Sequence, residues 1–369
     1  MCLTLHLFNP WHDDALAAGS PYYNPSRFAD RMSRALAALP AWWAAEGDVI
    51  ACAEAPDAAW RQRTAGLLPE VRYETAPTLE AIERVEPWGW DAVLCHRLWR
   101  RGWQGRPPLP PAEIRRLSSR ATAVAWLPLA VGCHPLLTGR SWLVHDVSEV
   151  ERLWNEVPEM IVKSPWSCSG RGTRYITPHC TPSERGWMAA TLRRQGALAV
   201  EPYYRKVADF ALEFMMTAQG ARYEGLSLFH TEKGNYAANL VCSEQQARQH
   251  IERLTWPGAV RLLCAVWTTL LNRHMPPAYR GPLGIDMMVV STAQGHRIHP
   301  CVEVNLRRTM GWVALQLRRL VPEGNSGRLF VSASPCPEAK GLLPLVPEGD
   351  GPCLYLEHLT AAKPTAPRP

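Results

Sequence analysis

Lysine is scarce in this chain. Only Lys163, Lys206, Lys233, Lys340 and Lys363 occur, so nearly all of the 40 Lys+Arg residues are arginine. The arginines are spread along the whole length instead of forming a basic stripe interleaved with aromatics, which argues against a nucleic-acid partner. No run approaches the roughly 18 uninterrupted apolar residues of a membrane helix. The opening Cys2-Leu3-Thr4-Leu5-His6-Leu7-Phe8 lacks a basic flank and stops at Asn9-Pro10, so it reads as a short buried strand and not as a signal peptide. There is no CxxC pair, and Cys95-His96, Cys133-His134 and His179-Cys180 lack the partners of a zinc site. With no export signal, the eleven cysteines read as reduced thiols and the expected compartment is the cytoplasm. The phosphate-binding form GxxxxGK[ST] is missing as well.

What remains is an ordinary globular composition, 47% hydrophobic and 20% charged with a formal charge of +6. A length of 369 residues allows two or three packed lobes. Sixteen tryptophans are many, and core packing is their default role. In the first third, apolar strands at 3–8, Asp48–Cys52 and Trp90–Cys95 alternate with helical patterns. One of these is a helix over roughly 27–45 capped by Ser26. The alternation predicts a parallel α/β sheet. After the Pro-rich linker Pro107–Pro111 the texture changes. Strands are expected at 160–163, 172–176, 198–204, 209–218, 222–230, 284–291 and 296–304, with helices near 244–254, 257–273 and 310–320. That pattern predicts antiparallel sheets flanked by helices, an α+β lobe. The Pro-rich tail after Pro364 reads as disordered.

Three stretches carry chemistry. In Lys163-Ser164-Pro165-Trp166-Ser167-Cys168-Ser169-Gly170-Arg171-Gly172, a Gly/Ser loop between strands can turn backbone N–H groups and hydroxyls toward phosphate oxygens, with a lysine at its entrance. A plain surface hairpin accounts for it equally well. In Gly284-Ile285-Asp286 and Val302-Glu303-Val304-Asn305-Leu306-Arg307, Glu303 and Asn305 share one strand face, and a hairpin can bring Asp286 beside them. Three oxygen ligands suit Mg²⁺, and carboxylates among apolar residues need compensation if buried. A strand showing its polar face to solvent is the alternative. Val200-Glu201-Pro202-Tyr203-Tyr204 followed by Asp209 could border an adenine and its ribose, or be a strand end with a solvated acid.

In order and spacing these pieces resemble the ATP-grasp superfamily over roughly 112–325. The resemblance implies an N-terminal α/β domain (1–111), an ATP-grasp nucleotide-binding and catalytic region (112–325) and a C-terminal extension (326–369). It further implies ATP and Mg²⁺ as cofactors. Lys163 would contact phosphates or adenine, and Ser167, Ser169, Gly170, Arg171 and Gly172 would form the loop closing over the β- and γ-phosphates. Glu201 and Tyr203 would border the adenine, with Asp209 at the ribose. Asp286, Glu303 and Asn305 would hold the metal, and Arg307 would steady the transferred phosphate. The family's earlier lysine is missing. Arg120 stands in about its place, with Arg140 as the alternative, and arginine binds phosphate differently from lysine.

The implied activity is an ADP-forming carboxylate–amine ligase working through an acyl phosphate. Its partners would be small-molecule or peptide acids and amines, with a homodimer as candidate assembly. A kinase, a non-catalytic nucleotide or peptide binder, and nucleophilic chemistry at Cys168 are the alternatives. Asn9, His12, Asp13 and Asp14 follow a strand's C-terminal end, where α/β sheets tend to bind ligands. The two acids there could hold a substrate ammonium group, or be a solvated helix start. Tyr22 and Tyr23 could line or cover the same cleft.

Overall fold

The structure, a computed structural model, describes residues 3–167, 172–177, 180–232, 234–336 and 341–359. Three sheets follow one another along the chain. The first contains β1 (Thr4–Leu7), β2 (Val49–Ala51), β3 (Arg72–Glu74) and β4 (Arg84–Pro87), all parallel in the order β3-β2-β1-β4. Leu5, Val49 and Val85 bury one face against Leu94, Leu98 and Trp103. The expected parallel α/β sheet is therefore present, but two of its elements differ. Residues 90–95 do not form a strand. Asp91 accepts from the Leu94 backbone N–H at 2.8 Å and caps a helix, Ala92–Arg100, whose Val93, Leu94 and Leu98 face the core. The cap and the continuing i, i+4 spacing outweigh a short apolar run holding a single β-branched residue. The helix begun at Ser26 stops at Ala35, because Pro40 falls in the continuation and a short 3₁₀ turn, Leu39–Trp42, replaces it.

The second sheet is antiparallel, order β5-β8-β6-β7, from β5 (Trp142–Val144), β6 (Met160–Lys163), β7 (Thr173–Ile176) and β8 (Leu198–Pro202). Helices Val147–Leu153 and Pro182–Gln195 cover it over a core of Met160, Val162, Ile176, Met188 and Val200. The third sheet has eight strands in the order β13-β12-β9-β10-β11-β14-β16-β15. They are β9 (Arg205–Thr217), β10 (Gly220–Glu232), β11 (Asn235–Val241), β12 (Gly281–Thr292), β13 (Gly295–Asn305), β14 (Ser326–Ser332), β15 (Leu342–Pro344) and β16 (Cys353–Leu359). Residues 326–359, read from the sequence as an extension, thus add three strands to this sheet.

The strand period of two sorts the large sheet's faces. Phe210, Leu212, Phe214, Ile285 and Met287 lie in the core with Trp267 of the helix Ala259–His274. Ala211, Glu213 and Asp286 alternate with them and belong to the opposite face, where the site lies. The nine cysteines among the described residues are free. No single helix among those residues is long and apolar enough to cross a membrane.

Candidate active site

Register decides the centre of the site. Asp286 of β12 pairs directly with Glu303 of β13, and Gly284 pairs with Asn305. Asp286, Glu303 and Asn305 therefore share one face, and Asn305 Nδ2 donates to Asp286 Oδ2 at 3.0 Å. They border a cavity of about 330 Å³ between this sheet, the N-terminal lobe and the start of the serine-containing loop. Asp286 is pushed up to about 8, first by burial and then by the Glu303 and Glu213 carboxylates, against the opposing pull of Arg307 and the Asn305 hydrogen bond. Such crowding marks a site short of positive charge. The donors are hard oxygens, so the residues fit Mg²⁺, whose other positions phosphates and water would fill. Among the described residues no group of three or more His, Cys, Asp or Glu could hold a metal. The trio has two carboxylates and an amide, so a ligand must complete it.

Arg120 opens the helix Arg120–Val131 and is buried. One guanidinium nitrogen donates to Ser164 O at 2.6 Å and Ser167 Oγ at 2.8 Å, and the other pairs with Glu303 Oε1 at 3.1 Å. It thus ties the serine loop to the acidic hairpin. Its Nε is buried without a hydrogen-bond partner. Gly172 closes the loop, its carbonyl accepting from the Ser164 N–H at 2.8 Å, and any side chain there would collide with Ser164 and Ser167. Ser169, Gly170 and Arg171, together with Cys168, lie outside the described residues. Arg140 instead faces outward, paired with Glu156 at 3.2 Å.

Lys163 forms an ion pair with Glu201 on the neighbouring strand β8. The space they line with Arg120 and Cys301 is only about 10 Å³, too little for a purine. Asp209 accepts from Lys206 and from Thr231, the latter at 2.9 Å. Tyr203 is not brought to the cavity: it is exposed and packs edge-on against Tyr175. The following Tyr204 turns inward instead, its hydroxyl bonded to the Arg140 N–H and its ring 5.2 Å from that of His299.

The N-terminal loop changes role. Asp13 does not wait for an ammonium group and is not a solvated helix start; it holds Arg307 through two hydrogen bonds of 3.1 and 3.0 Å. Arg308 fastens the same junction to Pro87 O and Glu86, both at 2.6 Å. Asn9 and His12 are buried on Asp91 and brace the loop. Tyr22 is exposed against His96, and neither it nor Tyr23 borders the cavity.

Burial works to raise the Asp13 carboxyl, but Arg307, His12 and Arg120 outweigh it and hold it below its ordinary 3.8. The folded state therefore binds this proton less readily than the unfolded chain. The stabilisation is present above 3.8 and fades as the pH falls through the lowered folded value. Asp13→Asn should cost about 2 kcal/mol at neutral pH. In denaturant titrations its deficit against wild type should shrink in acid; a deficit independent of pH would deny the pair this role.

Glu213 is the residue that sequence reasoning missed. It is 1% exposed on β9, facing the cavity beside Asp286. Thr309 Oγ1 at 2.7 Å and Ser227 Oγ at 3.2 Å donate to its Oε1. Burial pushes it up to about 7, against those two hydrogen bonds and Arg307. A glutamate inside the apolar run Phe210–Met216 was the available signal, by the same reasoning that singled out Asp286.

Neither a family model nor a curated protein matches this chain. Solved structures do. N5-carboxyaminoimidazole synthetase from Staphylococcus aureus, complexed with ADP, superposes with a TM-score of 0.53 at 10% identity, over 97% of this chain and 93% of that one. The fold is the ATP-grasp fold. Biotin carboxylase from Campylobacter jejuni, a β,γ-ATP complex, gives 0.52 at 10% identity over 96% and 87%. The biotin carboxylase domain of Hydrogenobacter thermophilus 2-oxoglutarate carboxylase, with MgADP, ADP and bicarbonate, gives 0.51 at 11% over 96% and 86%. At such identities the ATP-grasp likeness is one of architecture.

Proposed function

We propose that this protein is an ATP-dependent, ADP-forming ligase that joins a carboxylate to an amine through an acyl phosphate. The observation that carries this reading is the clustering of Asp286, Glu303 and Asn305 on one sheet face, beside Arg120 and Arg307 at the same cavity. The ATP-grasp fold and its nucleotide-bound neighbours support it. The nucleotide-binding and catalytic region would span 112–325, with residues 1–111 closing the substrate end and β14, β15 and β16 extending the large sheet.

Asp286, Glu303 and Asn305 would hold Mg²⁺, which when bound supplies positive charge to the phosphates. Arg120, Lys163, Ser167 and the loop ending at Gly172 would contact the phosphates, Glu201 the adenine and Asp209 the ribose. Because the gap at Lys163 and Glu201 is nearly closed, nucleotide entry requires the β5–β8 lobe to swing from β12 and β13. A carboxylate oxygen then attacks the γ-phosphorus and ADP leaves. The amine nitrogen attacks the acyl carbon, the C–N bond forms, and phosphate departs with the C–O electron pair. The displaced amine proton passes to solvent. Arg307, held in place by Asp13, would steady the phosphoryl oxygens through its planar fork. The protein's work is positioning and charge neutralisation.

The test is ADP release from ATP and Mg²⁺ against mixed pools of acids and amines, with mass spectrometry of the products. An acid–amine condensate with one ADP per bond is expected. A phosphorylated acceptor with no ligation would replace the reading by a kinase, and no ADP with any pool would remove it.

A further inference from the structure

We propose that Glu213 is the anchor for the acceptor substrate and that this substrate is a cationic amine, presented with its ammonium group on Glu213 Oε2. The proposal rests on the ligase reading and names the substrate class of that site.

Charge balance is the first argument. Four carboxylates border the cavity, Asp13, Glu213, Asp286 and Glu303, against two guanidinium groups, Arg120 and Arg307. Arg307 is committed to Asp13 and Arg120 to Glu303. Asp286, hydrogen-bonded to Asn305 and opposite Glu303, belongs to the metal trio. Glu213 alone is left with neither an ion pair nor a metal-site partner, in a place where an uncompensated carboxylate is costly. A cation carried by the ligand would neutralise it.

Construction is the second argument. The carboxylate is held at one oxygen only, by Thr309 and Ser227 on Oε1. Oε2 receives no hydrogen bond from the described residues. Room for the group is made by two glycines: a methyl at Gly311 would overlap Oε1, and one at Gly284 would lie 2.8 Å from Oε2. A neutral hydroxyl pair on one oxygen fixes the group's direction without discharging it.

Position is the third. Glu213 pairs with Gly284, two residues along β12 from Asp286, so it lies within about 8 Å of the metal trio. An ammonium seated there lies next to the carbon that the phosphoryl group activates, and once it has given one proton to solvent its nitrogen lone pair attacks that carbon. On the other side the cavity continues across β10, β11 and β14 past Phe229, Tyr236 and Val331. Those apolar walls would cover the body of an aliphatic or aromatic amine.

The experiment compares two nucleophiles in wild type, E213Q and E213D. Hydroxylamine, uncharged at neutral pH, traps an acyl phosphate as its hydroxamate and needs no anionic anchor; methylammonium and 1,4-diaminobutane do. A carboxylate pool with ATP and Mg²⁺ is common to all assays. The charged amines should lose at least about ten-fold more kcat/KM than hydroxylamine in E213Q, mostly through KM. E213D, which restores the charge, should recover part of the difference. Equal losses with both nucleophiles, or none in E213Q, would overturn the anchor while leaving the ligase reading intact. Failure of wild type to make a hydroxamate from any acid would remove both.

Discussion

Replacing Asp286 by asparagine is expected to make the metal-free protein more stable and nearly inactive. The carboxylate lies between Glu303 and Glu213, and burial with these two charges raises it to about 8. A raised acid stabilises the fold only while protonated, so this contribution is full below its ordinary 3.8 and lost as the pH climbs toward about 8. Asparagine removes that liability and still offers an oxygen to the Asn305 amide. Near neutral pH the gain should be about 1 kcal/mol, read as a higher melting temperature without metal. ADP release should fall about 10³-fold, since a neutral amide would hold the metal ion that faces the phosphates far less tightly. The combination is diagnostic, because a merely structural residue would lose stability and activity together. A D286N protein that turns over like wild type would end the metal assignment.

Replacing Arg120 by lysine should lower kcat/KM for ATP about 100-fold, although the charge is kept. The guanidinium spans Ser164 O, Ser167 Oγ and Glu303 at once, from two nitrogens 2.6 to 3.1 Å away from their partners. An ammonium is a single point and cannot hold the serine loop and the acidic hairpin together. Glu303 would keep a weaker partner, at a stability cost of about 2 kcal/mol. Steady-state kinetics in ATP, with a denaturant titration alongside, separates the two effects. Wild-type kinetics in R120K would mean that charge alone matters at this position.

How much of this was legible in the chain differs from element to element. The hairpin β12–β13 could be read closely, because Asp286, Glu303 and Asn305 interrupt apolar runs with a period of two and a four-residue turn joins them. The antiparallel pair β6 and β7 could be read from its short apolar runs, and the parallel first sheet from the alternation of strands and helices. Residues 90–95 could not, because a short apolar run has no period long enough to separate strand from helix, and the capping role of Asp91 depends on the turn before it. The early end of the helix after Ser26 is signalled by Pro40. The resemblance puts Tyr203 with Glu201 beside an adenine; past the end of β8 at Pro202 this side chain is exposed, and the next residue, Tyr204, packs against His299.

By itself the sequence determined the order of lobes, the strands that carry acids and the residue types able to meet a nucleotide and its metal. These are local properties, set by periodicity and by the energetic cost of placing charge among apolar neighbours. Tertiary structure alone decided the pairings: Asp13 with Arg307, Arg120 with Glu303, Glu86 with Arg308, and Glu213 with Thr309 and Ser227. They join residues 14 to 294 positions apart, in contacts that exist only once the strands and lobes have packed. A chain states which charges it carries, and only the folded arrangement determines which are neutralised and which are left for a ligand.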